Sequence, residues 1–387
     1  MTPGGLPSRT APRGAATTRR RAPSPLSVAV VLLALSAGCA HRTGLPAAAP
    51  PAAEVAVRLI PLAGGAADRA EEFSGLAWHG DELVMLPETL GLGKGPDGRR
   101  LAPGPQRVWL LDRAALVDHL AASDGAALVP RALAVTPDLA AWRPGEIDGF
   151  EAIAFDGDTA WLLVETNQND AGDNPAWLVR GVMSGDELAL DLDGARAFPR
   201  QTDHANTSFE ALFRWRGGVC AVYELNSRAV ATHPTARCFA DDLTPAPPLA
   251  FPHLAYRVTD ATELDAAGHL WVLNYRYPKT DKSRVDPASE PLARRFGVGP
   301  THARFAQVER LVELAVTADG LTLVDRAPVQ LALPAPWEDG GARNWEGIVR
   351  FPGGFLVVTD EYPGPTTLLG FVSVPTADAD AARDTPP

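Results

Sequence analysis

Five stretches of the chain share one pattern of hydrophobic and polar positions. In each, a polar residue opens a hydrophobic run, a turn containing glycine follows, and a second run closes on an acid or an amide 14 positions later. The pairs are Ser74/Glu88, Glu151/Glu165, Glu210/Glu224, Asp260/Asn274 and Glu346/Asp360. Each stretch predicts a β-hairpin, and a recurring hairpin is typical of a β-propeller.

Further strand-like runs follow most hairpins, and four strands make one propeller blade. The fifth repeat has only one obvious later strand, at residues 367–374, so a spare strand at residues 55–62 could complete that blade. Closing the ring with strands from both termini removes an open sheet edge. We therefore predict an all-β propeller with five blades. Uneven steps of 77, 59, 50 and 86 residues between repeats leave six blades as the alternative.

The two polar positions of each repeat should meet at one end of its hairpin, because antiparallel strands begin and finish side by side. If all hairpins face a central channel, eight carboxylates gather in one region. They are Glu88, Glu151, Glu165, Glu210, Glu224, Asp260, Glu346 and Asp360. Like charges this close need protons, basic partners or a metal ion.

Carboxylate and amide oxygens favour Ca²⁺ or Mg²⁺ over zinc, and we expect calcium first. The predicted ligands are Glu151, Glu165, Glu210, Glu224, Glu346 and Asp360. The neighbouring loop adds Asn167, Asn169, Asp170 and Asp173, without the spacing of an EF-hand. The alternative is that these acids cap backbone N–H groups or pair with arginines such as Arg143 and Arg343.

Two residues are candidates for proton transfer, Glu210 and the loop residue His204, whose side chain titrates near neutral pH. A long insertion, residues 275–307, leaves from the same end of the hairpins. Its Arg276, Lys279 and Lys282 suggest a basic lid over a small anionic substrate. A solvated charged loop is the alternative reading of this insertion. Aromatic residues precede four of the opening positions and are expected to pack between blades; they are Phe73, Phe150, Phe209 and Trp345.

The first 38 residues read as a signal peptide, with five arginines, an apolar core and small residues before Cys39. This end resembles a bacterial lipobox, which implies lipidation of Cys39, membrane attachment through that lipid and an outer-membrane location, facing the periplasm or the cell surface. Plain secretion is the alternative. A flexible tether at 39–54, a propeller domain at 55–375 and a disordered tail at 376–387 complete the predicted organisation.

Charge and cysteine content narrow the function. Subtracting the five signal arginines from 35 basic residues leaves 30 against 47 acidic ones, which argues against a nucleic-acid partner. We expect a monomer. An exported chain meets oxidising conditions, so Cys220 and Cys238 predict a disulfide, with two buried thiols as the alternative. Sequence signatures of serine hydrolases, nucleotide-binding loops and zinc proteases are missing.

The resemblance to a known family rests on two opening motifs and two closing motifs. The opening motifs are Phe150-Glu151-Ala152-Ile153-Ala154 and Trp345-Glu346-Gly347-Ile348-Val349, and the closing motifs are Val164-Glu165 and Thr359-Asp360-Glu361. The chain resembles bacterial phytase-like (esterase-like) β-propeller proteins. The resemblance implies calcium-supported hydrolysis of a phosphoester or another ester, and calcium-dependent lactonase propellers are similar in their central ring of acids and amides. Ser74 departs from the pattern of opening acids. The alternative is a non-catalytic envelope propeller that binds a protein or glycan partner.

Overall fold

The computed structural model describes residues 51–91, 93–94, 100–101, 106–122, 125–143, 146–167, 174–204, 207–281, 283–334, 343–360 and 366–374. They belong to one compact unit, Ala48–Pro387. The predicted signal peptide, Cys39, most of the tether and the tail lie outside the described residues. The predicted domain boundaries therefore stay predictions.

The described chain is built mainly of strands. The first twelve are β1 (Glu54–Val55), β2 (Arg58–Ile60), β3 (Phe73–His79), β4 (Glu82–Pro87), β5 (Gly93–Lys94), β6 (Arg100–Leu101), β7 (Arg107–Asp112), β8 (Arg131–Thr136), β9 (Ile147–Asp156), β10 (Thr159–Thr166), β11 (Ala176–Met183) and β12 (Glu187–Phe198). The next twelve are β13 (Phe209–Trp215), β14 (Gly218–Tyr223), β15 (Thr235–Ala240), β16 (Leu249–Ala250), β17 (Arg257–Ala261), β18 (His269–Arg276), β19 (Val308–Thr317), β20 (Gly320–Leu323), β21 (Val329–Leu331), β22 (Trp345–Phe351), β23 (Gly354–Thr359) and β24 (Leu369–Ser373). Three helices accompany them, α1 (Arg113–Ala121), α2 (Pro291–Phe296) and α3 (Pro300–Phe305). None of the described helices is long and apolar enough to cross a membrane.

The strands pair into four-stranded antiparallel units. These are β3-β4-β7-β8, β9-β10-β11-β12, β13-β14-β15-β16, β17-β18-β19-β20 and β22-β23-β24-β2. The first strands contact one another in a closed cycle, β3 to β9, β13, β17, β22 and back to β3. Strand units arranged around a common axis in this way form a propeller. The predicted all-β propeller is confirmed, and the count of five blades rather than six stays a prediction.

The two ends of the chain meet in the last unit. Strand β2 pairs antiparallel with β24, with Arg58 opposite Phe371 and Ile60 opposite Leu369. Strand β1 adds in parallel to β21, which itself pairs with β19. The N-terminal strands thus cover two sheet edges, as the predicted ring closure requires.

The hydrophobic core lies between the units. Five clusters of buried side chains each draw on two neighbouring units. The four aromatic residues that precede opening positions lie in these clusters and are at most 1% exposed; they are Phe73, Phe150, Phe209 and Trp345. Their predicted packing between blades is confirmed.

A disulfide joins Cys220 on β14 to Cys238 on β15. The two residues are directly opposite each other in the antiparallel ladder. The predicted disulfide is therefore present, and it crosslinks the second and third strands of one unit.

Candidate functional site

A β-bulge recurs at the opening position of every hairpin. In the third unit Phe209 lies opposite Tyr223 and Ala211 opposite Val222, so Glu210 is the extra residue between them. The same shift isolates Ser74, Glu151 and Glu346 and lies between Val258 and Ala261 in the fourth unit. A bulge turns its extra side chain out of the regular alternation. The acids at the opening positions therefore occupy the bulged residue of their hairpins, where the side chain departs from the regular alternation of the strand.

The closing residues join each unit to the next. The amide of Glu88 donates to Glu72 O within the first unit, and the carbonyl of Glu88 accepts from Phe150 N of the second unit. Glu224 makes the corresponding bonds to Ser208 O and from Val258 N. Backbone bonds therefore fix the closing acids beside the bulge of the following unit. We call this end of the hairpins the acidic end, formed by Glu88, Glu151, Glu165, Glu210, Glu224, Glu346 and Asp360.

Arg257 is the basic residue at the centre of the acidic end. Its Nη2 lies 3.3 Å from Glu210 Oε1 and 3.9 Å from Glu346 Oε1, and its Nε contacts Glu224 Oε1. One guanidinium therefore links acids of the third and fifth units. Burial opposes the charged form, but the carboxylates of Glu224, Glu210 and Glu346 together hold the pKa of Arg257 well above its usual value.

Two carboxylate oxygens near Arg257 have no hydrogen-bond partner among the described residues. They are Glu210 Oε2 and Glu224 Oε2. Glu210 is 6% exposed and Glu224 is fully buried. A buried polar atom without a partner is costly and marks a place where water, an ion or a substrate group can bind.

The fourth pair has a structural role. Asp260 Oδ2 accepts from Ile348 N of the fifth unit and Oδ1 accepts from Ala261 N, each at 2.8 Å. Asn274 donates to the carbonyls of Ala255 and Arg257 and accepts from Arg310 Nε. The sequence alternative, in which acids cap backbone N–H groups, therefore describes this pair. Burial raises the pKa of Asp260 well above its usual value, although these backbone bonds lower it.

The other closing acids have partners. Glu165 Oε1 accepts from Arg200 Nη2 at 2.8 Å, and both side chains are buried. Asp360 Oδ2 accepts from Asn344 Nδ2 at 3.0 Å. Of the arginines named from the sequence, Arg143 pairs with Glu146 at 2.6 Å, and the backbone N–H of Arg343 donates to Glu309.

The opening acids are poised to hold protons. Burial is the main cause that raises the pKa of Glu151 well above its usual value, followed by the charges of Glu88, Glu165, Glu210 and Glu346. Burial also raises the pKa of Glu210, with the charge of Glu224 adding to it and that of Arg257 opposing it. The pKa of Glu346 is also well above its usual value, because burial raises it most and the charge of Asp360 raises it further. For all three groups, burial and the neighbouring carboxylates favour the protonated form over the charged form.

A second group of acids fits a cation. Glu72, Glu88 and Asp360 each offer one carboxylate oxygen, and these oxygens lie within 4.8 Å of one another. Oxygen ligands of Ca²⁺ lie about 2.3–2.6 Å from the ion, so their separations reach about 5 Å. All three side chains are half-buried. Gly149 keeps space beside them, because a Cβ there would collide with Glu151 Oε1 and lie 2.8 Å from Glu88 Cγ.

The remaining predicted residues lie around this centre. His204 is half-buried, its backbone bonds with Thr202 and Thr207, and its ring has no polar contact among the residues described. Arg276 donates to Asp281 Oδ2 at 2.6 Å and contacts Ala306 O, and Lys279 lies over the ring of Tyr277. Lys282, Asn169, Asp170 and Asp173 lie outside the described residues, and Asn167 is described.

The insertion after β18 is folded. Glu290 caps α2 by accepting from Leu292 N and Ala293 N, and its Oε2 lies 3.0 Å from Arg310 Nη1 in a fully buried ion pair. Glu54 accepts from Thr301 N and His302 N at the start of α3. This segment is thus held by specific contacts, although its predicted role in binding substrate stays a prediction.

The sequence did not identify Arg257, Arg200 or Glu72 as site residues. Arg257 lies three positions before the fourth opening residue, in the one repeat without an aromatic residue before its acid. There the ladder continues past the bulge, with Arg257 opposite Tyr275, which adds a residue to the acidic end. Glu72 lies beside the one repeat whose opening position is a serine. In both cases the signal was a local departure from the repeat.

No protein-family profile and no curated protein matches the chain. Among solved structures, the chain is similar to the GH43_1 enzyme from Xanthomonas citri complexed with xylotriose, with 10% identity, 84% of this chain and 92% of that chain covered, and a TM-score of 0.46. The exo-β-1,3-galactanase of Phanerochaete chrysosporium has 7% sequence identity, with 84% of this chain and 69% of that chain covered and a TM-score of 0.45. A structure from the GH130 family of mannoside phosphorylases has 10% sequence identity, with 84% of this chain and 98% of that chain covered and a TM-score of 0.43. At these values the function has to be argued from the site itself.

Proposed function

We propose that the protein is a hydrolase whose acidic end performs acid–base chemistry with the support of a divalent cation, calcium first. One observation carries the proposal: Glu210 Oε2 and Glu224 Oε2 are buried without a hydrogen-bond partner beside a single arginine shared by three acids. A water molecule and a substrate group are the natural partners for both atoms.

The two carboxyl groups differ in environment, which suits them to different roles. Glu210, whose pKa burial raises, is the better suited of the two to carry a proton and donate it to a leaving group. Glu224 contacts Arg257 through Oε1, which leaves Oε2 to accept a proton from attacking water. Pairs of carboxyl groups in contrasting environments are the usual mark of an acid and a base in one site.

A cation would be held by Glu72, Glu88 and Asp360, the acids whose oxygens lie within 4.8 Å of one another. Bound there, it would polarise a substrate oxygen and offset negative charge. Hard oxygen ligands suit Ca²⁺ better than zinc. Among the predicted ligands, Glu151 interacts with the charge of Glu88, and Glu346 with those of Asp360 and Glu88, so both would respond to a cation bound there.

The charge of the site constrains the substrate. Seven carboxylates define the acidic end, and Arg257 and Arg200 pair with four of them. A neutral ester or lactone meets no repulsion there, whereas a phosphoester needs the cation as a bridge. We therefore place neutral esters and lactones first and keep the phosphoester that the phytase-like resemblance implies as the cation-dependent case.

The test is turnover with and without cation. Purified protein is assayed on p-nitrophenyl acetate, aliphatic lactones and p-nitrophenyl phosphate, in calcium and in chelator. We expect one of these substrate classes to be hydrolysed. Chelator should abolish this turnover, and Glu210→Gln should lower its rate by about 10²-fold or more. The matched control is Glu82→Gln, which removes a surface carboxylate paired with Arg131. Full activity in both chelator and Glu210→Gln would refute the proposal.

Cation binding is measured separately from turnover. Metal analysis after dialysis and titration calorimetry with Ca²⁺ should show a site that Glu88→Gln and Asp360→Asn each weaken by about tenfold or more. Absence of Ca²⁺ binding to the wild-type protein would remove the cation from the proposal and leave the acid–base pair to be judged by turnover alone.

A non-catalytic propeller that binds a protein or glycan in the envelope is the second candidate. The observation that favours it is the ion pairing of Glu210, Glu224 and Glu346 to Arg257, which also rigidifies a site without chemistry. It predicts retention of one partner and no turnover on any substrate above. The disulfide accords with export, while lipidation at Cys39 and attachment to the outer membrane are further parts of the proposal, tested by membrane fractionation of wild type and Cys39→Ala.

A further inference from the structure

A second cavity lies at the other end of the hairpins. Because each hairpin places its acids at one end, its turn lies at the opposite end, and turns or flanking residues from all five units line a cavity of about 920 Å³. The contributing segments include Gly80, Gly157, Gly217, Leu264 and Pro352. We call this cavity the turn-end cavity. It shares no lining residue with the acidic end.

Aromatic rings from four units line the turn-end cavity. They are Trp78, Phe155, Trp215 and Phe351. The rings of Trp78 and Phe351 are stacked, with centroids 6.1 Å apart and planes 21° from parallel. The indole N–H of Trp78 donates to Arg350 O at 2.9 Å, which fixes the orientation of the ring. Rigid aromatic surfaces lining a concave site are typical of ligand-binding pockets.

Hydrogen-bond donors and acceptors alternate with these rings. Arg113 lies over the ring of Trp78, 3.7 Å from its centroid, and bonds Asp81 Oδ1 at 3.1 Å. Arg214 bonds Asp156 Oδ2 at 2.5 Å. Further lining groups are Arg350 and Glu263. The lining thus contains fixed cations and carboxylates in similar number, which offers donors and acceptors without a strong net charge.

Arg216 is the unusual residue of this cavity. It is exposed, lies 4.9 Å over the ring of Trp215, and has no acidic partner among the residues described. Its φ is +50°, in the left-handed region. The other tight hairpin turns place glycine at such angles, at Gly80, Gly157 and Gly353. Glycine adopts this region without strain, so an Arg216→Gly change is compatible with the backbone of the turn.

We propose that the turn-end cavity is a binding site for a neutral oligosaccharide. Sugar rings present apolar C–H faces that pack on aromatic rings, and their neighbouring hydroxyls both donate and accept hydrogen bonds. Trp215, which is half-buried, supplies such a ring, and the arginines and carboxylates supply both kinds of polar partner. A polyanion would meet Asp81, Asp156 and Glu263, and a purely apolar ligand would offer no partner to Arg216. The site is independent of the proposed hydrolytic chemistry at the acidic end.

The test is direct binding by titration calorimetry and saturation-transfer NMR. The probes are maltotetraose, mannotetraose, xylotetraose, galactotetraose, chitotetraose and tetragalacturonate. At least one neutral probe should bind with a Kd in the millimolar range or tighter. Trp215→Ala should weaken it by about tenfold or more, because it removes a stacking surface. The matched control Trp142→Ala, which alters a half-buried tryptophan outside this cavity, should bind as wild type does.

Arg216→Gly separates a role in binding from a role in folding. Glycine accepts a φ of +50° without strain, so this variant should melt at the wild-type temperature or higher while binding the probe several-fold more weakly. Glu210→Gln, at the acidic end, should bind the probe unchanged. The proposal fails if no neutral probe binds, if only tetragalacturonate binds, or if Glu210→Gln removes binding that Trp215→Ala retains.

Discussion

Glu309 couples the stability of the fold to pH through one buried carboxyl group. The residue is 2% exposed, and its Oε1 accepts from Arg343 N at 2.6 Å and Asn344 N at 3.0 Å. Burial raises the pKa of Glu309 to about 7, although the two backbone bonds and the charge of Arg343 act in the opposite direction. Since it lies opposite Tyr275 in the ladder, beside Arg257, it reports on the packing of the acidic end.

The sign and size of the effect follow from the raised pKa. Between the unfolded value of 4.5 and about 7, the folded state holds a proton that the unfolded chain has lost. The stabilisation is therefore fully present below pH 4.5 and is lost as pH rises through 7. The pKa of Glu309 differs by about 2.5 between the unfolded and folded states, which at 1.36 kcal/mol per pKa unit corresponds to a loss of about 3 kcal/mol of unfolding free energy.

Glu309→Gln removes this titration while keeping the shape and the accepting oxygen of the protonated acid. We expect the free energy of unfolding of the wild type, relative to the variant, to fall by about 3 kcal/mol between pH 4.5 and pH 8. Urea denaturation followed by tryptophan fluorescence across this range measures the difference, with Glu82→Gln as the exposed control. Parallel curves for wild type and Glu309→Gln would refute the reasoning, because they would mean that Glu309 ionises normally in the fold.

Three further changes test the described geometry. Arg257→Gln leaves buried acids without their countercharge and should cost about 3–5 kcal/mol of unfolding free energy in urea at pH 7; an unfolding free energy equal to that of the wild type would contradict this. Gly149→Ala should weaken Ca²⁺ binding in calorimetry, whereas Gly185→Ala, with no atom near its added Cβ, should not. Cys220→Ser removes a crosslink to Cys238 across 18 positions and should cost about 3 kcal/mol in urea without reductant, but nothing relative to reduced wild type.

The hairpins were predictable because their signal is repeated. A separation of 14 residues encodes two strands, a turn and one bulged residue, and the bulge recurs at Glu151, Glu210 and Glu346. Because the pattern occurs five times, an irregular residue in one copy does not obscure the prediction. The aromatic residue before the acid was equally informative, because it marks the buried position on which neighbouring units pack.

The partners of the acids were not predictable in the same way. Arg257 extends the opening strand of one repeat only, and Arg200 follows β12 outside the hairpins, so the repeat pattern does not mark either residue. Asp260 shares its spacing with the other acids but bonds Ile348 N of the fifth unit. Spacing along one chain fixes which end of a hairpin a residue occupies. Which charge or N–H group meets it there depends on a neighbouring unit distant in sequence.

The acidic end can balance its charge in two ways that compete. With few arginines among seven carboxylates, protons on Glu151, Glu210 and Glu346 supply part of the balance, because burial favours their neutral forms. A cation bound at the proposed site would take over that role and lower the pKa of these groups. If Ca²⁺ binds at the proposed site, proton release on binding and an affinity that rises with pH would therefore be linked, and Arg257, whose pKa the neighbouring carboxylates hold well above its usual value, would keep its charge in both states.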